Sequence, residues 1–310
     1  MAWGGPFGLG ACSRPAQPLR VASISWIGYE LLFLARELGY LSPHGARLVE
    51  YPSNSASLTA LVNREVSVGA LTLDEFLLAR DGGLDLRVVL VFDESSGADV
   101  VLAGPNIQSL ADIRGKRIAV ESSAVGALMM AKLLDLANLT PADIVKVDAT
   151  LDRHLQLYQQ GGVDAVITFE PVASQLTMAG AHVLLDSSLF PGLIVDVLAV
   201  HPGDMDEASS PLRALTAAYF RALAYWRDHP RDAARLMAPH LHLTPEQVMH
   251  SFAGIRTPDL AGNRAWLGGV RPRLLEAAET VGAVMQRNRL IKQAPRLDDL
   301  CESRFLPEVA

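Results

Sequence analysis

The chain has 310 residues, of which 50% are hydrophobic and 20% charged, and this length predicts about two domains that each bury a core. A formal net charge of −7 without a basic stripe argues against nucleic acid or an anionic membrane surface as a partner. The two cysteines, Cys12 and Cys301, match no disulfide, zinc or redox motif, and no apolar run is long enough to span a membrane. We therefore expect no metal and no other cofactor.

The chain begins with an uncharged, glycine-rich segment, residues 1–12, that ends in Leu-Gly-Ala-Cys. This ending resembles a bacterial lipobox, in which Cys12 would carry a lipid. The segment lacks the basic start and the long apolar stretch of a signal peptide. Two interpretations stay open: Cys12 is a lipidation site preceded by a longer signal sequence, or it is an inert cysteine. In both, residues 1–18 are expected to be a disordered segment that can act as a tether.

From residue 19 onward, short apolar strands alternate with amphipathic helices. Strands are predicted at 19–23, 46–51, 66–71, 86–93 and 98–104, and helices at 29–40, 55–65 and 73–80. Strands separated by single helices indicate βαβ units and a mainly parallel sheet.

The same alternation starts again at residue 109 and ends in a helical tail. Further strands are predicted at 117–121, 144–149, 163–169, 182–187 and 192–201, and residues 211–292 read as helices broken by prolines. We therefore predict two α/β lobes: lobe I from 19–106 and 195–310, and lobe II from 107–194. Two crossings between lobes make a hinge, and the cleft between them is the default ligand site.

Four segments together resemble a known family, the periplasmic solute-binding proteins of ABC importers. They are GYELLFLARELGYL (28–41), YPSNSASLTALVNREVSVGALT (51–72), SLADIRGKRIAVESSAVG (109–126) and GGVDAVITFEPVASQL (161–176). They are most similar to the nitrate, sulfonate, taurine and thiamine-pyrimidine-precursor branch. The cysteine-rich motif of the fungal pyrimidine-synthesis relatives is absent, which disfavours their self-sacrificing enzymatic role.

The resemblance implies a type II periplasmic-binding-protein fold, with two α/β lobes joined by a two-crossing hinge and a helical C-terminal tail. It implies a non-enzymatic, monomeric protein in the periplasm or on the outer face of the cytoplasmic membrane. Its expected partners are a small polar solute, captured in the cleft, and an ABC permease with its ATPase. The membrane would be contacted only through a lipid on Cys12.

Candidate ligand contacts lie where strands run into helices, because ligands of open α/β sheets bind outside the carboxyl ends of strands. In lobe I they are Trp26, Gly28, Tyr29, Glu30, Ser53, Asn54, Ser55, Thr72 and Asp74. In lobe II and its return strand they are Ser122, Ser123, Gly126, Thr168, Phe169, Glu170 and Asp196. The hydroxyl and acidic residues among them are equally suited to capping helices. Asp196 interrupts an apolar run, so we expect it at the cleft or the hinge.

Acids outnumber bases at these strand ends. The turns carry Glu30, Asp74, Glu121, Glu170 and Asp196, and no lysine or arginine. A sulfonate or nitrate needs cationic or N–H donors, whereas acids and aromatic rings suit an amine, an amidine or an N-heterocycle. We therefore expect a nitrogen-containing solute.

Three alternatives remain at this level. The chain could be a cytoplasmic enzyme on the same fold that acts on a pyrimidine-like metabolite, although it contains no GxSxG, GxxxxGK[ST] or HExxH motif. It could bind sulfonate- or nitrate-type anions. It could also be a sensing subunit that reports its ligand to a signalling partner.

Overall fold

A computed structural model describes residues 18–309 of the chain. The strands are β1 (Leu19–Ser23), β2 (Ala46–Glu50), β3 (Val68–Thr72), β4 (Arg87–Ser95), β5 (Asp99–Ala103), β6 (Arg117–Val120), β7 (Val145–Asp148), β8 (Ala165–Phe169), β9 (His182–Asp186), β10 (Val195–Val200) and β11 (Ile255–Arg256).

Helices follow most of these strands. They are α1 (Glu30–Glu37), α2 (Asn54–Val62), α3 (Leu73–Asp81), α4 (Ala124–Ala137), α5 (His154–Gln159), α6 (Val172–Met178), α7 (Ser209–Asp228), α8 (Pro230–Leu241), α9 (Pro245–Ala253), α10 (Leu260–Leu267) and α11 (Arg273–Arg287). Short 3-10 helices lie at Leu110–Ile113, Pro141–Asp143, Leu151–Arg153, Ser187–Leu189 and Pro202–Asp204.

Within residues 18–309, the first lobe is built on a six-stranded sheet in the order β11-β4-β10-β3-β1-β2. Strands β1, β2 and β3 are parallel, and β10 runs antiparallel between β3 and β4. The central strands β3 and β10 are buried along their whole length, and they are continuous apolar runs except at their cleft ends. Such runs are typical of strands covered by helices on both faces.

The second lobe has its own sheet, with five strands in the described range in the order β7-β6-β8-β5-β9. Strand β5 pairs antiparallel with β8 and with β9, so it belongs to this sheet and not to lobe I as the predicted boundary at 106 required. Both β4 and β5 are buried apolar runs, and a run of this kind does not reveal which of two sheets it joins. The chain thus first crosses between lobes at the end of β4, at residues 95–98.

The C-terminal helices pack on the first lobe. Helix α7 lies on α1, α10 on β4, and α11 on α3. The prediction of two α/β lobes with a helical C-terminal region is confirmed. The prediction for residues 1–18, including lipidation of Cys12, concerns a segment outside the described residues except for Pro18. No helix in the described range combines the length and apolar character needed to cross a bilayer.

The two chain crossings, residues 95–98 and 187–194, are tied together by hydrogen bonds, and we call them the crossing region. The hydroxyls of Ser95 and Ser187 lie 2.8 Å apart, and the Gly97 N–H donates to the Ser187 hydroxyl at 2.7 Å. The carbonyl of Gly254, just before β11, accepts from the N–H groups of Ser96 and Ala98 at 2.8 and 3.2 Å. The C-terminal region is therefore bonded directly to the crossing region.

Strand β4 carries a bulge that the C-terminal helices support. Asp196 pairs with Asp93 and the next residue of β10 pairs with Val91, so Phe92 is the extra residue. Strand β4 is longer than its two-residue neighbour β11, so part of its outer edge has no strand beside it. Side chains form hydrogen bonds with the backbone of that part. Asn263 accepts from the Val91 N–H at 2.8 Å and donates to the Val91 carbonyl at 3.0 Å, and Tyr219 donates to the Phe92 carbonyl at 3.0 Å. These bonds satisfy backbone groups that the sheet leaves unpaired.

We predict that Asn263→Ala lowers the free energy of unfolding by about 2–4 kcal/mol, because two buried backbone groups of Val91 lose their partners. Denaturant unfolding followed by circular dichroism measures the change. Asn63→Ala, at an exposed position after α2, is the control and should change stability by less than about 0.5 kcal/mol. Equal effects of the two substitutions would contradict the role given to Asn263.

Candidate ligand-binding cleft

A small cavity lies between the two lobes, at the edge of both sheets where the parallel strands end. It is lined by Ile24, Trp26, Tyr29, Asn54, Thr72, Asp99, Val125, Phe169 and Asp196. Its volume is about 10 Å³, which is room for about one water molecule. The lobes are therefore closed on each other in this structure.

Trp26 forms one wall and connects the two lobes. Its ring packs edge-on against Phe169 of the second lobe, with centroids 5.5 Å apart, and its Nε1–H donates to Asp93 Oδ2 at 3.2 Å. A Cβ at position 28 would lie 1.8 Å from that same Asp93 oxygen, so only glycine fits there. Gly28 thus makes room for Asp93. In contrast to the prediction that it contacts a ligand, it does not line the cavity.

Tyr29 and Asp196 form a second wall. The Tyr29 hydroxyl donates to Asp196 Oδ1 at 2.5 Å, and both side chains are fully buried. Asp196 lies opposite Thr72 on one side and Asp93 on the other, in register across the sheet. Burial is the largest cause that raises the pKa of Asp196 well above its ordinary value, and the charge of the neighbouring Asp93 is the second. Burial likewise raises the pKa of Asp93 to about 8.

Asp99 is the second carboxylate that lines the cavity, and the sequence patterns did not reveal it. It begins β5, opposite Phe169 of β8, and burial raises its pKa to about 7. Its Oδ2 has no hydrogen-bond partner, and the same is true of Asp196 Oδ2 and Asn54 Oδ1. No cluster of three or more His, Cys, Asp or Glu side chains in residues 18–309 is arranged to hold a metal ion.

A second small cavity continues into the second lobe. It is lined by Asp99, Glu121, Ser123, Val125, Gly126, Met129, His154, Ile167, Thr168 and Phe169. His154 Nε2 lies 3.1 Å from the Ala149 carbonyl, which can only accept, so Nε2 carries the proton and Nδ1 accepts from the Thr168 hydroxyl at 3.1 Å. Burial lowers the pKa of His154 to about 4, and the ring is therefore uncharged at neutral pH.

Ser55 joins the lobes instead of lining the cavity. Its N–H and its hydroxyl both donate to Glu121 Oε1 at 2.9 Å. Glu121 follows β6 of the second lobe, and Ser55 lies in the first turn of α2 of the first lobe. This contact holds the cleft closed at its outer side.

Glu30, which we expected to face a ligand, points away from the cavity. Its carboxylate oxygens lie 3.1 and 2.9 Å from His240 Nδ1, and Nε2 of the same ring lies 2.9 Å from Glu50. The ring also stacks on Phe33, with centroids 4.2 Å apart. The hydrogen bonds that the ring donates to the two carboxylates raise the pKa of His240 to about 10, and burial raises the pKa of Glu30 to about 7.

Other predicted contacts serve local structure. The Ser53 hydroxyl caps α2 and the Ser123 hydroxyl caps α4, while the Glu170 carboxylate accepts from the N–H and hydroxyl of Ser174 in α6. Asp74 is buried in the first turn of α3 without lining the cavity, and Ser122 bonds to Lys146 and Asp148 at the surface. Of the five acids that suggested a nitrogenous solute, only Asp196 lines the first cavity, where Asp99 joins it.

Comparison with known proteins gives one family and several relatives. The family model described as NMT1/THI5 like matches residues 28–233. A provisionally named aliphatic sulfonates-binding protein of Escherichia coli (strain K12) is 26% identical over 213 residues, which is 68% of this chain and 66% of that protein.

Solved structures share the fold. The alkanesulfonate-binding protein of Xanthomonas axonopodis pv. citri, bound to MOPS, superposes with a TM-score of 0.75 at 19% identity, over 90% of this chain and 96% of that one. The desulfurization enzyme DSZB superposes with a TM-score of 0.67 at 18% identity, over 94% and 98% of the two chains. The fold thus occurs in both a binding protein and an enzyme.

We predict that His240→Gln lowers the free energy of unfolding by about 2–3 kcal/mol near pH 7, because hydrogen bonds to a charged group are lost. The pKa of His240 is raised from 6.5 to about 10 by folding, so its contribution is present below pH 6.5 and is lost as the pH rises through 10. Denaturant unfolding of both proteins between about pH 7 and pH 10.5 should show the difference shrinking. The exposed His44→Gln is the control, and a pH-independent difference would contradict the ion pair.

Proposed function

Because the chain belongs to the NMT1/THI5-like family, we propose that it is an extracytoplasmic solute-binding protein that captures a small nitrogen-containing solute between its lobes and delivers it to an ABC permease. The observation that carries this proposal is a closed cleft in which aromatic rings and unpartnered carboxylate oxygens of both lobes converge. Its place would be the periplasm or the outer face of the cytoplasmic membrane.

Capture requires the lobes to separate. A cavity of about 10 Å³ admits no solute larger than water, so a solute can enter only an open form. The crossing region is the only covalent connection between the sheets in the described range, and rotation there would open the cleft. A solute that contacts Trp26 on one lobe and Phe169 on the other would then favour closure, because only the closed form makes both contacts.

The lining favours a nitrogenous solute over an anion. Neither cavity is lined by lysine or arginine, and His154 is held uncharged. A sulfonate, the solute class in the names of two relatives, would find no lysine or arginine in either cavity and would lie beside Asp99 and Asp196, which become negative when they ionise. The aromatic rings of Trp26, Tyr29 and Phe169 offer flat faces to a heterocycle or a cationic nitrogen.

An enzymatic role has less support. The one cysteine in the described range, Cys301, lies beside Val88 of β4 and outside both cavities, and burial raises its pKa to about 12. His154 uses both ring nitrogens in hydrogen bonds within the protein. The described cleft therefore offers neither a thiolate nucleophile nor a free histidine base.

The first step of the test is a thermal-shift screen of the purified protein against amines, pyrimidines, vitamins, sulfonates and nitrate. A solute at about 100 times its Kd stabilises the folded state by about 2.7 kcal/mol, which is readily seen. We predict that Trp26→Ala weakens binding of the solute found by about tenfold or more in calorimetry, because a wall shared by both lobes is lost.

Trp226→Ala is the control, since Trp226 packs on Phe252 outside the cleft, and it should leave the Kd unchanged. If Trp26→Ala binds the solute with unchanged affinity, the cleft is not the solute-binding site. Mass spectrometry of the solute after incubation separates binding from turnover, because a binding protein returns it unaltered. Loss of uptake on gene deletion, with the permease intact, tests delivery.

A further inference from the structure

We propose that the solute is a cation with at least two N–H donors, and that Asp99 and Asp196 recognise it by bridging it between the two lobes. This inference rests on the proposed function and narrows its solute class.

The positions of the two aspartates support this inference. Asp99 begins β5 in the second sheet and Asp196 lies near the start of β10 in the first, so each follows one of the two crossings. Both line the same cavity, at 3% and 1% exposure. Asp196 uses Oδ1 to accept from Tyr29, and its Oδ2 has no N–H or hydroxyl donor, although Asp196 can share a proton with the neighbouring Asp93 carboxyl. The Oδ2 of Asp99 has no partner.

A buried carboxylate oxygen without a partner is costly, and proteins seldom keep one without a use. Here two such oxygens and the unpartnered Oδ1 of Asn54 belong to side chains lining one small space. When the two carboxyls are ionised, all three atoms are hydrogen-bond acceptors, and the residues that line the cavity include no charged donor. A ligand that satisfies them must bring several N–H groups, as an ammonium, amidinium or guanidinium does.

The charges around the pair have one sign. The acids nearest to them are Asp93 from β4, Asp74 and Glu75 from α3, and Glu121 after β6, whereas Glu94 lines neither cavity and is paired with Arg256 and Arg273. On the second-lobe side the one titratable base is His154, and it is uncharged near neutral pH. Tyr29 supplies a neutral hydroxyl. A bound cation would be the missing counter-charge for this cluster.

The same arrangement fixes how binding depends on pH. Burial raises the pKa of Asp99 to about 7 and that of Asp93 to about 8, so this cluster of acids holds protons at neutral pH. A cation favours the ionised carboxylates and would displace a proton from them. Its affinity should therefore rise between pH 6 and pH 8, whereas that of an anion should fall.

Three probes that share one ring and differ only in head-group charge test the inference: benzamidinium, benzamide and benzenesulfonate. We expect benzamidinium to raise the thermal midpoint of the purified protein, and to do so more at about pH 8 than at about pH 6. Benzamide should bind about tenfold or more weakly, and benzenesulfonate should give no shift. Calorimetry in two buffers of different ionisation enthalpy should show proton release with benzamidinium.

A variant of Asp99 provides a second test, which measures both benzamidinium affinity and thermal stability. Asp99→Asn should weaken benzamidinium binding about tenfold, yet raise the midpoint of the unliganded protein at about pH 8 by about 2–4 °C, because an uncompensated buried charge is removed. Asp135→Asn, exposed on α4, is the matched control and should change neither.

Failure of benzamidinium to stabilise the protein, or a lower midpoint in Asp99→Asn, overturns the inference. If benzenesulfonate stabilises instead, the solute is an anion and the inference fails while solute capture in the cleft stands. Capture itself fails only if the solute from the wider screen binds Trp26→Ala with unchanged affinity.

Discussion

The cleft is organised around two aspartates buried side by side on neighbouring strands. Asp93 and Asp196 face each other in register, and each is held by an aromatic donor from the turn after β1, Trp26 for one and Tyr29 for the other. Two carboxyl groups that lie this close together and are both buried cannot both be charged without a large electrostatic cost. The turn therefore has large rings because their polar ends hold these carboxyls while their faces form the cavity wall.

Several distant features keep this pair in place. The bulge at Phe92 brings Asp93 into register with Asp196, and Asn263 and Tyr219 hold the edge of β4 beside it. Gly28 leaves the space that Asp93 occupies. These residues come from the first lobe and the C-terminal helices, so the C-terminal helices support the cleft although they line neither cavity.

The aromatic wall was predictable from sequence, but most of its acidic chemistry was not. Trp26, Tyr29 and Phe169 stand out because large rings are unusual where strands end. The rule that ligands lie at carboxyl ends of strands applies to parallel strands, whereas Asp99 lies at the amino end of an antiparallel strand. Finding it required the pairing partners of β5, which an apolar run does not specify.

Two acids that the sequence suggested as ligand contacts have partners within the protein instead. Glu30 is bonded to a histidine 210 residues away in sequence, and Glu170 bonds to the start of its own helix. The sequence around these acids does not show which partner each one has, because a carboxylate at the start of a helix can cap the helix, bind a ligand or pair with a distant residue equally well. The lobe boundary was misplaced for a related reason, because two buried strands a few residues apart can belong to different sheets.

The small volume of the closed cavity has a kinetic consequence. If closed lobes exchange with an open form, a solute can load only during the openings, so the observed association rate would level off at high solute concentration, at the frequency of those openings. The hydrogen bonds of the crossing region and the contact between Ser55 and Glu121 would then govern how fast the protein loads, separately from how tightly it holds its solute.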